Sequence, residues 1–302
     1  MGETVKAESA FGTVLTAMVT PFTSDGTKID FDAAAQLAND LVDLGNNGLV
    51  VNGTTGESPT TDEHEKLELL KVVIDAVGNR AKVVAGAGSN DTAHSLLLAK
   101  DAQKAGAHGL LVVTPYYNKP PQAGIYAHMV AVADSTDLPV MIYDIPGRSG
   151  VPINNDTMLQ LAQHPKIIAN KDAKGDPWAA SQIMAQSDLA YYSGDDPLNL
   201  ALLAIGAVGV VSVTGHIVAD RHKLMVEAMQ NNDVNTAREI NRSLVPITEG
   251  IMTKAGGAIM VKAALDQLGR TGGGSLRLPL IPATDDQRRV LREDLIKGGF
   301  SL

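Results

Sequence analysis

Lys171 directly follows the short apolar run KIIAN (166–170), so a charged side chain stands where a buried segment ends. In water a lysine amine has a pKa of about 10.4 and, being protonated at pH 7, is a poor nucleophile. Burial disfavours the ammonium and lowers the pKa, and a neutral amine can attack a ketone or an aldehyde to form a Schiff base. The alternative is a lysine whose ammonium reaches water at the end of a buried stem. Position alone leaves both interpretations open.

A Schiff-base enzyme also needs groups that move protons and groups that bind the charges of its substrates. Tyr143 ends another apolar run and could transfer protons through its hydroxyl. Thr54 and Thr55 lie between glycines, where backbone amides and hydroxyls can bind a carboxylate. Arg148 could hold a second carboxylate through its guanidinium. Taken singly, an interior tyrosine, capping threonines and a surface arginine are the commoner roles. Their joint occurrence after strand-like runs favours a binding site.

A repeated alternation of strand-like and helix-like segments must position these residues. Eight short runs, apolar nearly throughout, are typical of strands buried on both faces of a parallel sheet: 13–19, 48–51, 82–87, 109–113, 139–143, 166–170, 189–193 and 209–213. Helix-like segments separate them, the strongest at 62–77, where Thr60 and Glu63 predict a capping box. Eight units averaging about 27 residues predict an α/β fold of the (β/α)8 TIM-barrel type. A doubly wound sheet is the alternative, and the lack of a Gly-rich turn after the first strand disfavours it.

The same pattern divides the chain into three parts. Residues 1–11 are predicted to be a loose N-terminal extension, residues 12–232 the barrel and catalytic domain, and residues 233–302 a C-terminal α-helical appendage. Active sites of TIM barrels form at the C-terminal ends of the strands. Because the polar residues named above all lie at such ends, we expect them to share one site.

Composition excludes several classes of function. A net charge of −9 is unfavourable for a nucleic-acid surface, which needs clustered Lys and Arg. The absence of cysteine excludes disulfides, thiolate metal sites and cysteine nucleophiles. No apolar run reaches the roughly 20 residues of a membrane helix, and the polar N-terminus lacks the apolar stretch of a signal peptide. We expect a cytoplasmic protein that binds neither membranes nor nucleic acid.

No metal or nucleotide site is predicted. A Walker A motif and a glutamate-rich metal cage are both absent. The histidines show no metal-ligand spacing and are predicted to lie at the surface or in loops; they include His64, His94, His216 and His222.

Charged residues near the strand ends carry two further expectations. Asp195 and Asp196 follow the seventh strand, where many barrels bind phosphate, and two carboxylates there argue against a phosphorylated substrate. Lys174 follows Lys171 by three residues, beside a glycine and an aspartate. It is predicted to face solvent.

The chain resembles the dihydrodipicolinate synthase family of pyruvate-dependent class I aldolases and lyases. The resemblance begins around residue 12 and covers nearly all of the remaining chain. It rests on Lys171 and on five motifs in the family's order and spacing: GTTGES (53–58), TPYYN (114–118), YDIPGRSG (143–150), SGDD (193–196) and GVVSVT (209–214).

The resemblance implies catalytic roles for four residues. Lys171 matches the lysine that forms the Schiff base with pyruvate. Tyr143 matches the tyrosine that relays protons, with Thr54 and Tyr117 as its partners. In the family, the tyrosine at the position of Tyr117 reaches into the active site of a neighbouring subunit, which implies a tight dimer within a homotetramer.

Binding roles are implied for four more. Thr55 matches a contact to the pyruvate carboxylate, and Arg148 matches the arginine that positions aspartate semialdehyde. The backbone of Val211 and the loop at Gly194 match positions that line the site. No metal or cofactor is implied, because pyruvate itself is bound covalently.

The implied reaction condenses pyruvate with L-aspartate 4-semialdehyde, the first committed step towards diaminopimelate and lysine. Another pyruvate-dependent lyase, of the N-acetylneuraminate or keto-deoxy-sugar type, is an alternative on the same scaffold. Arg148 and the tyrosines of TPYYN favour a short, carboxylate-bearing partner over a polyol. A catalytically silent barrel is a further alternative, but it predicts the loss of Lys171, Tyr143 or Thr54, and all three are present.

The sequence also departs from the family pattern. Asp144 stands where asparagine is common, and Asp172 where glutamate is common. Many bacterial members bind inhibitory lysine at the dimer interface through a histidine on a longer loop and a glutamate. Here the loop after Ser58 is shorter, and His94 replaces that glutamate. Because an ammonium then loses a carboxylate partner, we expect free lysine to inhibit weakly or not at all.

Overall fold

A closed barrel of eight parallel strands forms the centre of the computed structural model, which describes residues 6–302. Each strand pairs with the next along the chain, and β8 pairs with β1. The strands are β1 Val14–Ala17, β2 Gly48–Val51, β3 Lys82–Gly86, β4 Gly109–Val113, β5 Val140–Asp144, β6 Ile167–Asp172, β7 Ala190–Ser193 and β8 Gly209–Ser212. The TIM-barrel prediction is confirmed, and closure excludes the doubly wound sheet.

Each of the predicted apolar runs contains one strand, but two strands end later than predicted. β5 continues to Asp144 and β6 to Asp172, so Lys171 lies within its strand rather than after it. Side chains alternate between the two faces of a strand, and Ala169 belongs to the apolar cluster inside the barrel. Lys171 therefore shares the inward face, paired in register with Tyr143 of β5 and Tyr192 of β7.

Helices surround the barrel and extend beyond it. Those up to β8 are α1 Ala7–Phe11, α2 Phe31–Asp43, α3 Glu63–Val77, α4 Thr92–Ala105, α5 Gln122–Asp134, α6 Pro146–Ser149, α7 Asn155–Leu161, α8 Pro177–Met184 and α9 Asn199–Ala204. Those after it are α10 Gly215–Gln230, α11 Val234–Met252, α12 Gly257–Gln267 and α13 Asp285–Lys297. The helical appendage is confirmed as α11–α13, which pack on one another and on α10. Within residues 6–302, none of the helices is long and apolar enough to cross a membrane.

The prediction of a loose N-terminal extension is wrong for residues 7–11, whereas residues 1–5 lie outside the described part of the chain. Ala7, Ala10 and Phe11 form the buried face of α1, because their spacing places them on one side of a helix. Phe11 packs edge-on against Tyr192 inside the barrel, with ring centroids 6.4 Å apart. The Tyr192 hydroxyl donates to the Gly12 carbonyl at 2.8 Å. α1 thereby closes the N-terminal end of the barrel.

The predicted capping box of α3 is also wrong in register. Asp62 is the N-cap: its carboxylate accepts from the Glu65 amide at 2.8 Å, and Glu65 accepts from the Asp62 amide at 3.2 Å. Thr60 belongs to a 3₁₀ turn, Ser58–Thr60, and donates to the Glu57 carbonyl instead. The turn delays the start of the helix, so an aspartate two residues further along takes the capping role.

Candidate active site

A cavity of about 570 Å³ lies at the C-terminal ends of β2, β3, β4 and β5. Thr54, Tyr117, Tyr143 and Arg148 are among the residues that line it. The other predicted site residues contribute no part of its wall: Lys171, Thr55, Gly194 and Val211. Of these, Val211 is packed inside the barrel with Tyr143.

Lys171 lies in the barrel interior beside Tyr143 and is only 5% exposed. Its Nζ atom is 4.0 Å from the centroid of the Tyr143 ring, and no carboxylate within residues 6–302 comes into salt-bridge distance of it. Burial lowers the pKa of Lys171 to about 8, with the Asp196 carboxylate opposing the change and Arg148 adding to it. The Lys171 ammonium thus does not reach solvent, and its burial and lowered pKa are the properties that a nucleophilic amine needs.

This lowered pKa predicts the pH dependence of imine formation. Only the neutral amine attacks a carbonyl, so the rate with a ketone is expected to rise about tenfold per pH unit below pH 8 and to level above it. The measurement is the initial rate of borohydride-trapped pyruvate adduct between pH 6 and pH 10. A rate that still climbs steeply at pH 10 would show a lysine with an ordinary pKa.

Gly194 makes room for this lysine. A Cβ atom on Gly194 would lie 2.6 Å from Cγ and 2.9 Å from Cε of Lys171, closer than non-bonded carbon atoms approach. The Gly194 amide donates to the Asp172 carbonyl at 2.7 Å, which holds the loop against β6. Gly194 therefore leaves the space that the Lys171 side chain occupies, and it does not line the cavity.

Tyr143 is buried except where it meets the cavity. Burial raises the pKa of its phenol to about 12, so the hydroxyl is protonated at neutral pH and can donate a proton. Within residues 6–302 it makes no hydrogen bond to Thr54 or Tyr117. In a single chain, the predicted three-residue relay is therefore not assembled.

Two polar residues reach the cavity from the segments that follow β4 and β5. Arg148 is exposed on α6, which follows β5 directly. Tyr117 is 88% exposed and has a φ of 72°, a left-handed conformation that non-glycine residues seldom adopt. Its ring therefore packs against almost nothing in its own chain.

The prediction that the histidines lie at the surface or in loops is wrong at three positions, one of which is His128, buried in α5. His216 and His222 are buried in α10. His216 Nε2 accepts from the Val19 amide at 3.0 Å, and burial lowers the pKa of His216 to about 4, so the ring stays neutral. His222 contacts the Thr214 hydroxyl at 2.8 Å. Both histidines lie among buried apolar residues of α10, Ile217, Val218, Met225 and Val226, a local signal that sequence reasoning missed.

Asp196 follows β7 and is one of the two carboxylates that were predicted to disfavour a phosphorylated substrate. Its carboxylate accepts from the amides of Val213 and Thr214 at 2.9 and 2.8 Å and from the Ser212 hydroxyl at 2.6 Å. Backbone amides after β8 are the groups that bind phosphate in many barrels. Here a buried side-chain anion already takes them.

Nearly the whole chain matches a known family: the model of the dihydrodipicolinate synthetase family covers residues 10–297. The chain belongs to this family. A 4-hydroxy-tetrahydrodipicolinate synthase of Kineococcus radiotolerans is 56% identical over 291 residues, which cover 96% of this chain and 94% of that protein. The 4-hydroxy-tetrahydrodipicolinate synthase 2 of Streptomyces coelicolor is 55% identical over 302 residues, which cover 100% of both. Among solved structures, the enzyme of Cyanidioschyzon merolae with lysine bound has a TM-score of 0.93 and 40% identity, covering 96% of this chain and 99% of that one.

The two departures from the family pattern form a buried acidic pair. Asp144 and Asp172 face each other across β5 and β6, one residue after Tyr143 and Lys171. Each accepts a backbone amide, from Ile153 at 3.2 Å and from Lys174 at 3.0 Å respectively. Lys174 is half-buried and donates through Nζ to the Ile153 carbonyl at 3.1 Å. The prediction that Lys174 faces solvent is therefore wrong, because two buried carboxylates attract its ammonium.

Asp144 makes stability depend on pH. Burial raises the pKa of Asp144 from 3.8 to about 7. The hydrogen bond from the Ile153 amide and the charge of Lys174 lower this pKa, and the charge of Asp172 raises it further. The folded chain thus binds the proton more tightly, and this contribution to stability is full below pH 4 and lost as pH rises to 7. Asp144→Asn is therefore expected to stabilise the fold by about 2 kcal/mol at pH 8. Thermal unfolding from pH 4 to pH 9 measures it, with the exposed Asp75→Asn as control. A gain that is the same at every pH would contradict the assignment.

Within the described residues, no cluster of three His, Asp or Glu side chains could hold a metal ion. The cavity wall also includes His94, whose Nε2 lies 3.2 Å from Oε1 of Glu63, a carboxylate that is 68% exposed. The Glu63 carboxylate is thus present beside His94, although position 94 itself carries histidine instead of glutamate.

Proposed function

We propose that this family member condenses pyruvate with L-aspartate 4-semialdehyde through a Schiff base on Lys171, as a 4-hydroxy-tetrahydrodipicolinate synthase does. The observation that supports the proposal is the buried Lys171 amine, with a pKa of about 8, whose Nζ atom lies 4.0 Å from the centroid of the Tyr143 ring. Burial raises the pKa of the Tyr143 phenol to about 12, so this neighbour is protonated at neutral pH. A nucleophile and a proton donor thus lie side by side in the barrel interior, and Tyr143 also lines the cavity of about 570 Å³.

The proposed steps need only these groups. Neutral Lys171 attacks the ketone carbon of pyruvate, and Tyr143 protonates the departing hydroxyl as water leaves to give the imine. Loss of a proton from the methyl group gives an enamine, whose carbon attacks the aldehyde while the aldehyde oxygen takes up a proton. The amine of the second substrate then attacks the imine carbon, closes the ring and releases Lys171 as a free amine.

Four further residues are proposed to bind the substrates. Thr55, in the loop after β2, would hold the pyruvate carboxylate, and Arg148 would hold the carboxylate of aspartate semialdehyde through two parallel hydrogen bonds. Gly194 and the backbone of Val211 would complete the site around Lys171. The position of Arg148 on the cavity wall supports its part of the proposal.

A homotetramer built from tight dimers is proposed as the working assembly. Tyr117 supports this: it is almost fully exposed in one chain and sits in a strained backbone conformation at the cavity. Entering the cavity of a second copy would bury the Tyr117 ring and complete the relay of Thr54, Tyr143 and Tyr117.

We propose further that no metal or cofactor takes part and that the enzyme works in the cytoplasm. A chain without cysteine has no disulfide that the reducing conditions there could break.

Choice of aldehyde separates this function from the sister lyases. We expect a kcat/KM for aspartate semialdehyde at least about 100-fold above those for N-acetylmannosamine and short sugar aldehydes, because Arg148 pairs only with a carboxylate-bearing partner. Pyruvate consumption with each aldehyde measures it. A sugar aldehyde that reacts as fast as aspartate semialdehyde would assign the chain to the other lyases.

Weak inhibition by free lysine is the expected regulatory behaviour. His94 in place of a glutamate removes one carboxylate partner for the lysine ammonium, and Glu63 is largely exposed to competing water. Half-inhibition is expected only above about 1 mM lysine, which corresponds to roughly 4 kcal/mol of binding. Steady-state rates measured with lysine from micromolar concentrations to about 50 mM test this expectation. Inhibition in the micromolar range would show that Glu63 replaces the missing carboxylate.

A further inference from the structure

The loop that carries Thr54 and Thr55 is held by strained backbone at both ends. Asn52 has a φ of 61° and Glu57 a φ of 56°, both in the left-handed region. Such conformations cost on the order of 1–3 kcal/mol each and persist only where the surroundings enforce them. Within the loop, the Glu57 amide donates to the Thr54 carbonyl at 3.1 Å. The position of Glu57 therefore sets the position of Thr54.

Glu57 is held by the C-terminal appendage rather than by the barrel. Its carboxylate is buried, and Oε1 accepts from Nζ of Lys262 in α12 at 2.6 Å, with both side chains 1% exposed. Oε2 accepts from the backbone amide of Arg277 at 2.9 Å. Both carboxylate oxygens are thus bonded to groups that follow Glu57 by more than 200 residues.

The two partners of Glu57 are themselves fixed. Lys262 also donates to the Ser275 carbonyl at 2.7 Å and lies 4.4 Å from the centroid of the Phe22 ring. The guanidinium of Arg277 stacks over the same ring at 4.5 Å. It donates to the Thr60 carbonyl at 2.8 Å and forms two hydrogen bonds with Glu65, at 2.7 and 2.6 Å. Residues of the appendage therefore form hydrogen bonds with the chain before and after the 3₁₀ turn that follows Thr54 and Thr55.

We infer that Glu57 is a positioning residue for pyruvate binding, and that Lys262 and the Arg277 backbone, both from the appendage, hold it. Through this buried ion pair the appendage fixes Thr54 and Thr55 relative to Lys171. The inference rests on the proposed function, because it gives the threonines their part in binding pyruvate and relaying protons. A positioning role also explains why this ion pair is buried, because apolar residues of similar size often stabilise a fold equally well.

Replacing the pair with apolar side chains separates positioning from stability. In Glu57→Met/Lys262→Met no charge is left unpaired, so the fold is expected to survive, while the loop loses its attachment to the appendage. The KM for pyruvate is expected to rise and kcat to fall, each by about tenfold, since small displacements of catalytic groups are this costly. Glu57→Gln keeps an acceptor for the Arg277 amide but leaves the buried Lys262 ammonium without a carboxylate, so it is expected to lower the melting temperature more than the double variant does.

Arg221→Met is the matched control. Arg221 donates to the Gly298 carbonyl at 2.8 Å and so ties the appendage to α10 without touching the threonine loop. Its loss is expected to lower the melting temperature and leave both kinetic constants unchanged. If the double methionine variant does not fold, Glu57→Gln/Lys262→Gln replaces it, with a rise in KM of about threefold expected from its weaker neutral bond.

The results distinguish this inference from the proposed function. If the unmodified enzyme forms no borohydride-trapped pyruvate adduct, the proposed function fails. If it forms the adduct and the folded double variant keeps the same KM and kcat, the positioning role is overturned. Equal kinetic losses in Arg221→Met would likewise overturn it, because they would show a general effect of loosening the appendage.

Discussion

Lys171→Met is expected to lower kcat/KM by at least about 1,000-fold and to abolish covalent capture of pyruvate, because the substituted side chain has no nucleophile. The substituted chain is expected to fold and to be at least as stable as the unmodified one. Lys171 is buried without a carboxylate in salt-bridge distance, so removing its charge relieves a desolvation cost. Loss of activity with a retained melting temperature would thus assign the lysine to chemistry rather than to structure.

Lys174→Met is the matched control for this change. Lys174 lies three residues away and carries the same side chain, but its Nζ donates to the Ile153 carbonyl, whereas that of Lys171 lies over the Tyr143 ring. Its loss is expected to change stability, since it stands beside Asp144 and Asp172, but to leave the pyruvate adduct intact. Equal losses of activity in the two variants would contradict a special role for Lys171.

Tyr143→Phe is the second large effect, with an expected fall in kcat of about 100- to 1,000-fold, the usual contribution of a general acid. The hydroxyl has no partner within the described chain whose loss would destabilise the fold, so the melting temperature is expected to stay constant. Steady-state rates and the rate of adduct trapping measure the effect, and both are expected to fall. Tyr126→Phe, in the half-exposed α5, is the control. A Tyr143→Phe enzyme with unchanged kcat would remove the tyrosine from the mechanism.

Local patterns in the sequence were sufficient to predict the barrel and the placement of Lys171. Strands buried on both faces leave continuous apolar runs, and each of those runs contains a strand. The alternation of side chains within β6 then decides that Lys171 points inward with Ala169. These properties depend on neighbours a few residues apart, which a single sequence records directly.

Features that depend on distant contacts were not predictable in this way. The Glu57–Lys262 pair joins positions 205 residues apart, and neither residue differs locally from a surface charge. The burial of His216 and His222 depends on groups supplied by the segments that follow β1 and β8. α1 was missed because its few apolar residues resemble any short terminus until the open end of the barrel is there to receive Phe11.

The site itself falls between these cases. Motifs identified four residues that line the cavity, Thr54, Tyr117, Tyr143 and Arg148. They could not show that Gly194 leaves the space that Lys171 occupies. Nor could they show that Tyr143 and Thr54 remain unbonded to each other in one chain. Both facts follow from where three strand ends meet, a relation that spacing along the chain does not contain.

The most direct measurement is peptide mapping by mass spectrometry after incubation with pyruvate and reduction with borohydride. The structure predicts one reduced pyruvate on the peptide that carries Lys171, with fragment ions that place it there and not on Lys174. Chain incubated without pyruvate, and Lys171→Met with it, are expected to show no adduct. An unmodified Lys171, or an adduct on another lysine, would contradict the assignment of Lys171 as the nucleophile.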